Sequence, residues 1–386
     1  MASGSSHLPA GMTKEEMGLG SVTEAEMWWR THYTWLLESG YRLRQRYAPD
    51  WVPSWKGKSG MEAFRHEDGQ RAREAFVMDA VRLSDGTVVI LKRVNVGSNP
   101  LEVDMTKLVN LPHLRDNPAN HCVHFYGVLH SPINPGYDIL IIPLLRPFWK
   151  PKFETIGEIV GCVLQLFEGL RFMHDNLVAH RDPHRRNIMM DASPMYPEGW
   201  HFSYIGEGDM TRDFSKPAVP LSRTMAPTPV KYYFVDFGIA VIFDNSDEPH
   251  LIEPVLSGDR TAPELQGDKE FQPTDPFPTD VYYIGNTIRE VFFGRDELFS
   301  GYRGMGFMKS LISDMTQKDP SKRPTMAEAE ARMKKIAAGM TQLRLRSPAV
   351  SRREFFLFSI FRGFGRWKRS WKQWRQGVPA LRELSS

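Results

Sequence analysis

Three polar side chains set the chemistry this chain can do. Asp182 and Asn187 stand five positions apart in His180-Arg181-Asp182-Pro183-His184-Arg185-Arg186-Asn187, just ahead of the apolar Ile188-Met189-Met190. An aspartate and an asparagine at that spacing on a loop can share one phosphoryl-transfer site, the carboxylate beside an attacking hydroxyl and the amide on a metal ion. A second carboxylate, Asp236, ends the apolar run Tyr232-Tyr233-Phe234-Val235 and precedes Phe237-Gly238. Either segment alone could arise by chance; their order, each after a suitable strand or helix, argues for a common site.

The first run matches the H-R-D-x-x-x-x-N catalytic loop and the second the D-F-G segment. Over roughly residues 60–340 the chain resembles the eukaryotic protein kinase superfamily, and its texture is similar to divergent kinase-like proteins of mushroom-forming fungi. The resemblance implies an α+β, two-lobed fold, with a small β-rich N-lobe at 60–143 and a larger α-helical C-lobe at 144–340. It also implies transfer of the γ-phosphate of ATP to a protein hydroxyl, Ser or Thr rather than Tyr, with Mg as cofactor. Asp182 would orient the acceptor and take its proton, and Asn187 and Asp236 would hold the metal. Lys92, in Val88-Val89-Ile90-Leu91-Lys92, resembles the V-A-I-K lysine that pairs with the nucleotide phosphates, and Glu102 is its expected partner. Pro143, Leu144 and Leu145 would form the hinge that meets the adenine edge. Because Pro143 has no N–H, the donor falls to a neighbour such as Leu145.

Further segments extend the match. Ala262-Pro263-Glu264 matches A-P-E and closes an activation segment at 239–261, where Ser246, Ser257 and Thr261 are candidate phosphate acceptors and Arg181 is the matching cation. Asp280 resembles the aspartate that braces the catalytic-loop backbone, and Arg323 the arginine that pairs with Glu264. Two departures stand beside these matches. Where G-x-G-x-x-G should cover the phosphates there are only Gly60 and Gly69, and His184 takes the place of the lysine usual in Ser/Thr kinases. A pseudokinase scaffold that binds ATP would fit the first departure. A small-molecule kinase of the aminoglycoside or choline type would fit Asp182, His184 and Asn187 as D-x-H-x-x-N, but lacks the A-P-E, Asp280 and Arg323 segments.

These residues need elements to position them. A helix starts at Thr23, with Glu24 and Glu26 at its positive end and Gly40 as its stop, followed by an extended basic and aromatic segment at 42–55. Residues 75–83 and 87–94 read as a hairpin about Ser84-Asp85-Gly86, and 122–129 and 137–145 as two more strands. Thr155-Ile156-Gly157-Glu158 is a capping-box signature opening a helix whose apolar positions, from Ile156 to Met173, recur at helical spacing. Between Asn187 and Asp236 lie 48 residues, so 192–230, rich in Pro, Ser, Thr and Gly, reads as an inserted surface loop. Thr325 and Glu328 form a second capping box.

Composition bounds the rest. With 386 residues, 41% apolar and 25% charged, the chain can bury a sizeable core. Residues 341–386 hold eleven Lys and Arg against Glu354 and Glu383, about +9, which leaves about −6 elsewhere. A mildly acidic body does not suit nucleic acid. The tail, with Phe355, Phe356, Phe358, Phe361, Phe364, Trp367, Trp371 and Trp374 among its cations, suits peripheral contact with anionic membrane or an acidic partner, or docking on the chain's own body. Residues 1–22 are expected to lack order. Cys122 and Cys162 are too few for a disulfide framework and read as buried thiols. With no signal-like or membrane-spanning run, the expected location is intracellular, in the cytoplasm or nucleus.

Overall fold

A computed structural model describes residues 21–58, 60–203, 208–244, 250–294, 298–354, 374–375 and 377–382. They form a mixed α+β structure that divides into two compact units. The first is Met1–Ser98, Phe125–Leu144 and Tyr196–Pro220; the second is Asn99–His124, Leu145–Met195 and Leu221–Ser386. Of the stretch 1–22 expected to lack order, residues 1–20 lie outside the described residues, as do the candidate acceptor Ser246 and the aromatic stretch 355–373, whereas Val22 packs against the cluster of Trp51 and Trp55.

In the first unit, α1 (Glu24–Thr31) and α2 (Tyr33–Glu38) precede a five-stranded antiparallel sheet of order β1-β2-β3-β5-β4. Its strands are β1 (Tyr41–Leu43), β2 (Val77–Arg82), β3 (Val88–Asn95), β4 (Gly127–His130) and β5 (Tyr137–Pro143). Strand alternation sorts the side chains. Met78, Ala80, Val89, Leu91, Ile139 and Ile141 face Trp29 and Leu36 of the helices in one core. In register on the opposite face stand Val77, Lys92 and Leu140, then Asp79, Ile90 and Ile142.

The single helix expected from Thr23 is instead two, interrupted at His32 (φ −90°, ψ 0°). His32 bonds Ser131 Oγ through Nε2 at 2.8 Å and stacks on Trp28, contacts that a continuous helix would have to reposition. Its start is as expected, with Thr23 and Glu26 in a reciprocal capping box. The segment at 42–55 is not simply extended: Leu43 pairs with Ala80 in β1, and Trp51 and Trp55 bury in a small cluster with Ala48 and Ala63.

In the second unit, α3 (Glu102–Leu108) and α4 (Pro112–Arg115) precede β6 (Arg146–Pro147) and the long α5 (Ile156–Asp175). There follow β7 (Val178–Ala179), β8 (Ile188–Met190), β9 (Tyr232–Phe234), β10 (Val241–Ile242), α6 (Pro276–Phe293), α7 (Lys309–Met315), α8 (Met326–Ala338) and α9 (Gln342–Leu345). Ile159, Val160, Val163, Leu166, Phe167 and Leu170 of α5 are wholly buried; each such side chain stabilises by roughly 1.5–3 kcal/mol relative to exposure.

Two expectations fail here for physical reasons. The capping box at Thr155 is half-formed, because Glu158, though its N–H bonds Thr155, turns its carboxylate to Glu154 N, Thr224 N and Thr224 Oγ1. Cys122 is not in a strand; it makes one bridge to Phe234, and Asn120 Oδ1 accepts its N–H. The inserted stretch 192–230 is also more than a surface loop. Tyr196, Trp200, His201, Arg223 and Thr224 are buried, and residues 196–220 belong to the first unit. Residues 378–382 lie on α5, where a Cβ on Gly157 would come within 2.2 Å of the Ala380 carbonyl oxygen. Both cysteines are buried thiols, and no helix among the described residues is long and apolar enough to cross a membrane.

Candidate active site

α5 and β7 deliver the chain to His180, after which the backbone turns sharply: Arg181 has φ +66°. A non-glycine residue there costs on the order of 1–3 kcal/mol. Asp280 of α6, with no exposed surface, supplies the compensation. Its Oδ2 accepts from His180 N at 2.8 Å and its Oδ1 from Arg181 N at 2.7 Å. This is the bracing expected of Asp280.

His180 links the loop to Val235, which joins β9 to Asp236. Asp182 N–H donates to His180 Nδ1 (3.3 Å), and Nε2 faces the Val235 carbonyl (3.2 Å). That pattern assigns the ring proton to Nε2 and leaves the imidazole neutral. Burial pushes its pKa down, against the pull of Asp280, Asp182 and Asp236.

Asp182 is buried and its carboxylate is nearly saturated. Oδ2 accepts from Asn187 Nδ2 at 2.8 Å; Oδ1 accepts from Asp259 N at 2.8 Å and lies 3.1 Å from His184 Nδ1. A carboxylate has about four acceptor sites, so these three leave room for one more donor, on Oδ2. Gly258 is needed for the close approach: its φ is +81°, and a Cβ there would lie 3.2 Å from Asp182 Cγ. Burial works against a charged His184, but its hydrogen bond and charge contact with Asp182 hold its pKa above the ordinary value.

Asn187 also donates Nδ2 to the Asp182 carbonyl at 3.1 Å, which leaves its Oδ1 as the available acceptor. Val235 N donates to the Asn187 carbonyl at 2.9 Å, and β8 pairs with β9, so Asn187 and Asp236 leave neighbouring strand ends. Asp236 also has a positive φ, +68°. Glu102, buried on α3, reaches the same place: a Cβ on Gly238 would lie 3.4 Å from Asp236 Oδ1 and 3.5 Å from Glu102 Oε2.

The second unit thus gathers Asp182, Asn187, Asp236, Glu102 and Arg181. The remaining expected residues fall elsewhere. Lys92 is half-buried on β3 of the first unit, and Pro143 and Leu144 end the 125–144 segment of that unit, with Leu145 beginning the next stretch of the second. Arg181 is engaged by backbone: it donates to Ile239 O at 3.3 Å and Glu253 O at 2.8 Å, and Ser257 and Thr261 are exposed. Arg323 meets Glu264 through two hydrogen bonds of 2.6 and 2.7 Å, both residues buried. Burial opposes the Glu264 charge, yet Arg323 holds its carboxyl below the usual range.

The contacts of Gly258 and Asp259, inside the expected activation segment, and of Tyr283, three residues after Asp280, whose hydroxyl donates to the Asp259 carbonyl, were not foreseen. Gly258-Asp259, a turn-forming pair just before Ala262-Pro263-Glu264, is the one available signal.

In the first unit, the connection between β1 and β2 departs most from the expected phosphate-covering loop. Arg44 is buried, with Nε 3.4 Å from Asp79 Oδ1 and Nη1 3.2 Å from Glu67 Oε1; Nη2 donates to Ser203 Oγ at 3.2 Å. His201 Nε2 lies 3.2 Å from Glu67 Oε1. Ser203 and His201 come from the insertion, so it and the connection share one buried ion cluster, next to the sheet face that carries Lys92.

Among the described residues, no group of three or more His, Cys, Asp or Glu is arranged to hold a metal ion. The oxygens of Asn187 and Asp236 suit a hard divalent ion that takes its other ligands from water and phosphate. No model of a known protein family matches this sequence.

Proposed function

We propose that this chain is a protein kinase, transferring the γ-phosphate of ATP to a serine or threonine hydroxyl, with the two units as its lobes. One observation carries the reading: Asp182 and Asn187 are bonded side chain to side chain on a loop whose backbone Asp280 grips, beside the strand that presents Asp236. Asp182 Oδ2 has one acceptor position left, and there it takes the proton of the attacking hydroxyl as the oxygen–phosphorus bond forms. The proton on His180 Nε2 stays where it is, committed to Val235. His184, held toward its charged form, supplies a cation where the usual lysine is absent. Lys92 is assigned to the nucleotide phosphates and Glu102 to Lys92, with adenine at Pro143, Leu144 and Leu145. Mg, held by Asn187 Oδ1 and Asp236, would neutralise charge on the phosphates.

A second reading, a scaffold with little or no turnover, is favoured by the Arg44, Asp79, Glu67 and His201 cluster. It stands where a flexible glycine loop would let backbone amides approach phosphate. The test is radiolabelled γ-phosphate transfer with wild type and Asp236→Asn. Incorporation by wild type alone supports the kinase; ATP binding without incorporation supports the scaffold. Equal incorporation by both means a contaminant, and incorporation only into a metabolite means a small-molecule kinase.

A further inference from the structure

Away from Asp182, an open groove of about 1390 Å³ lies in the second unit, between the outer face of α8, residues 306–311 at the start of α7, and α9. Its floor is apolar, with Phe307 and Ile336 half-buried and Leu343 66% exposed. Its rim carries Arg332, Lys335 and Arg344, and no aspartate or glutamate lines it. Arg332 is neutralised by Asp314 at 2.6 Å. Lys335 and Arg344 are exposed, and neither is ion-paired with any described carboxylate; the Arg344 guanidinium sits 5.7 Å from the Phe307 ring centroid.

We infer that this groove docks an acidic segment of a partner protein, one that inserts bulky apolar side chains over Phe307 and Leu343 while its carboxylates meet Lys335 and Arg344. Size argues for polypeptide, because small-molecule sites run from about 300 to 1,000 Å³ and enclose their ligand. Charge selects among polypeptides. The chain's own following stretch, with nine Lys and Arg against Glu354 and Glu383 over 348–386, about +7, has the wrong sign for this rim. An apolar floor with a one-sign rim gives affinity from the floor and partner choice from the rim. The inference stands apart from the kinase reading, since none of these residues belongs to the Asp182 site.

The test is selection of a random displayed peptide library on the full chain, then titration of the selected peptides against wild type, Lys335→Glu/Arg344→Glu and Leu343→Ser. The expected peptides combine Asp and Glu with Leu, Phe or Trp. Their affinity falls by about tenfold or more in the charge reversal and with rising salt, which screens exposed pairs. Leu343→Ser weakens them too, and since all three side chains are exposed, thermal unfolding of both variants matches wild type. Selected peptides without acidic enrichment, or equal binding to the charge reversal, would overturn the inference. So would phosphatidylserine vesicles that bind wild type but not the reversal, which would make the groove a lipid surface. A concentration-dependent dimer lost in the reversal would overturn it as well, making a second copy the occupant. Phosphoryl transfer to a generic substrate stays unchanged in both variants, so loss of docking is distinguishable from loss of catalysis.

Discussion

Around Asp182, in the second unit, charge is met mostly by neutral donors: the backbone amides of His180, Arg181 and Asp259, and the Asn187 amide. Between β1 and β2, in the first unit, charge is met by charge, with Arg44 set among Asp79 and Glu67 and His201 beside them. The first arrangement leaves one acceptor position open on Asp182 Oδ2, where the proposed reaction needs a proton acceptor. The second pairs its ions internally, although Arg44 Nε and Asp79 Oδ1, 3.4 Å apart, form no hydrogen bond. Buried ion pairs add little net stability, because desolvation offsets attraction, but they are costly to break from one side. On the proposed function, the contrast separates a region that reacts from one that holds a shape, and each can be broken on its own.

The largest expected effects are on stability. Arg44→Met leaves Asp79 and Glu67 without their guanidinium and should cost about 3–5 kcal/mol by denaturant unfolding; adding Asp79→Leu should recover part of it. Arg323→Met, which strands Glu264 in the second unit, should cost a similar amount. If Arg44→Met is neutral, the cluster does not hold the connection and the contrast falls.

Next comes turnover. Asp236→Asn should lower kcat by about 10²-fold or more while leaving unfolding unchanged, as expected when charge stabilisation of a transition state is removed. Gly258→Ala is smaller: strain at φ +81° and crowding against Asp182 Cγ should cost about 1–3 kcal/mol and slow transfer in proportion to the displacement of Asp182.

The smallest effect is a pH dependence. The folded pKa of His184 is raised, so the stability it contributes is fully present below its unfolded value of about 6.5 and is lost as pH rises through the folded value. Unfolding curves of wild type and His184→Gln, run from acid to alkaline pH, should therefore converge as pH rises. A gap that widens with pH would reverse the assignment.

The sequence is most legible where a residue's job depends on its neighbours in the chain. The Asp85-Gly86 turn and the Thr325 cap follow from short spacings, whereas Asp280 and the Glu264–Arg323 pair, 100 and 59 positions from their partners, were legible only through the resemblance. It is least legible where a side chain has a distant competitor. Glu158 abandons its local cap for Thr224, 66 positions on. His32 answers to Ser131 across 99 residues and breaks a helix in doing so. In the insertion, Pro and Gly hide Tyr196, Trp200 and His201, whose burial depends on surfaces supplied by other parts of the chain. Lys92 was legible as a strand residue, and it stands inside β3 rather than at its end.

The central claim is that Asp182 is a base held ready by Asn187, Asp259 and His184. It is tested most directly by γ-phosphate transfer from Mg-ATP measured for wild type and Asp182→Asn, with nucleotide binding measured on the same samples. The account predicts incorporation by wild type, a fall of about 10²–10⁴-fold in the variant, and equal nucleotide binding by both. Nucleotide binding with no incorporation by wild type, or equal rates for the two proteins, would contradict it.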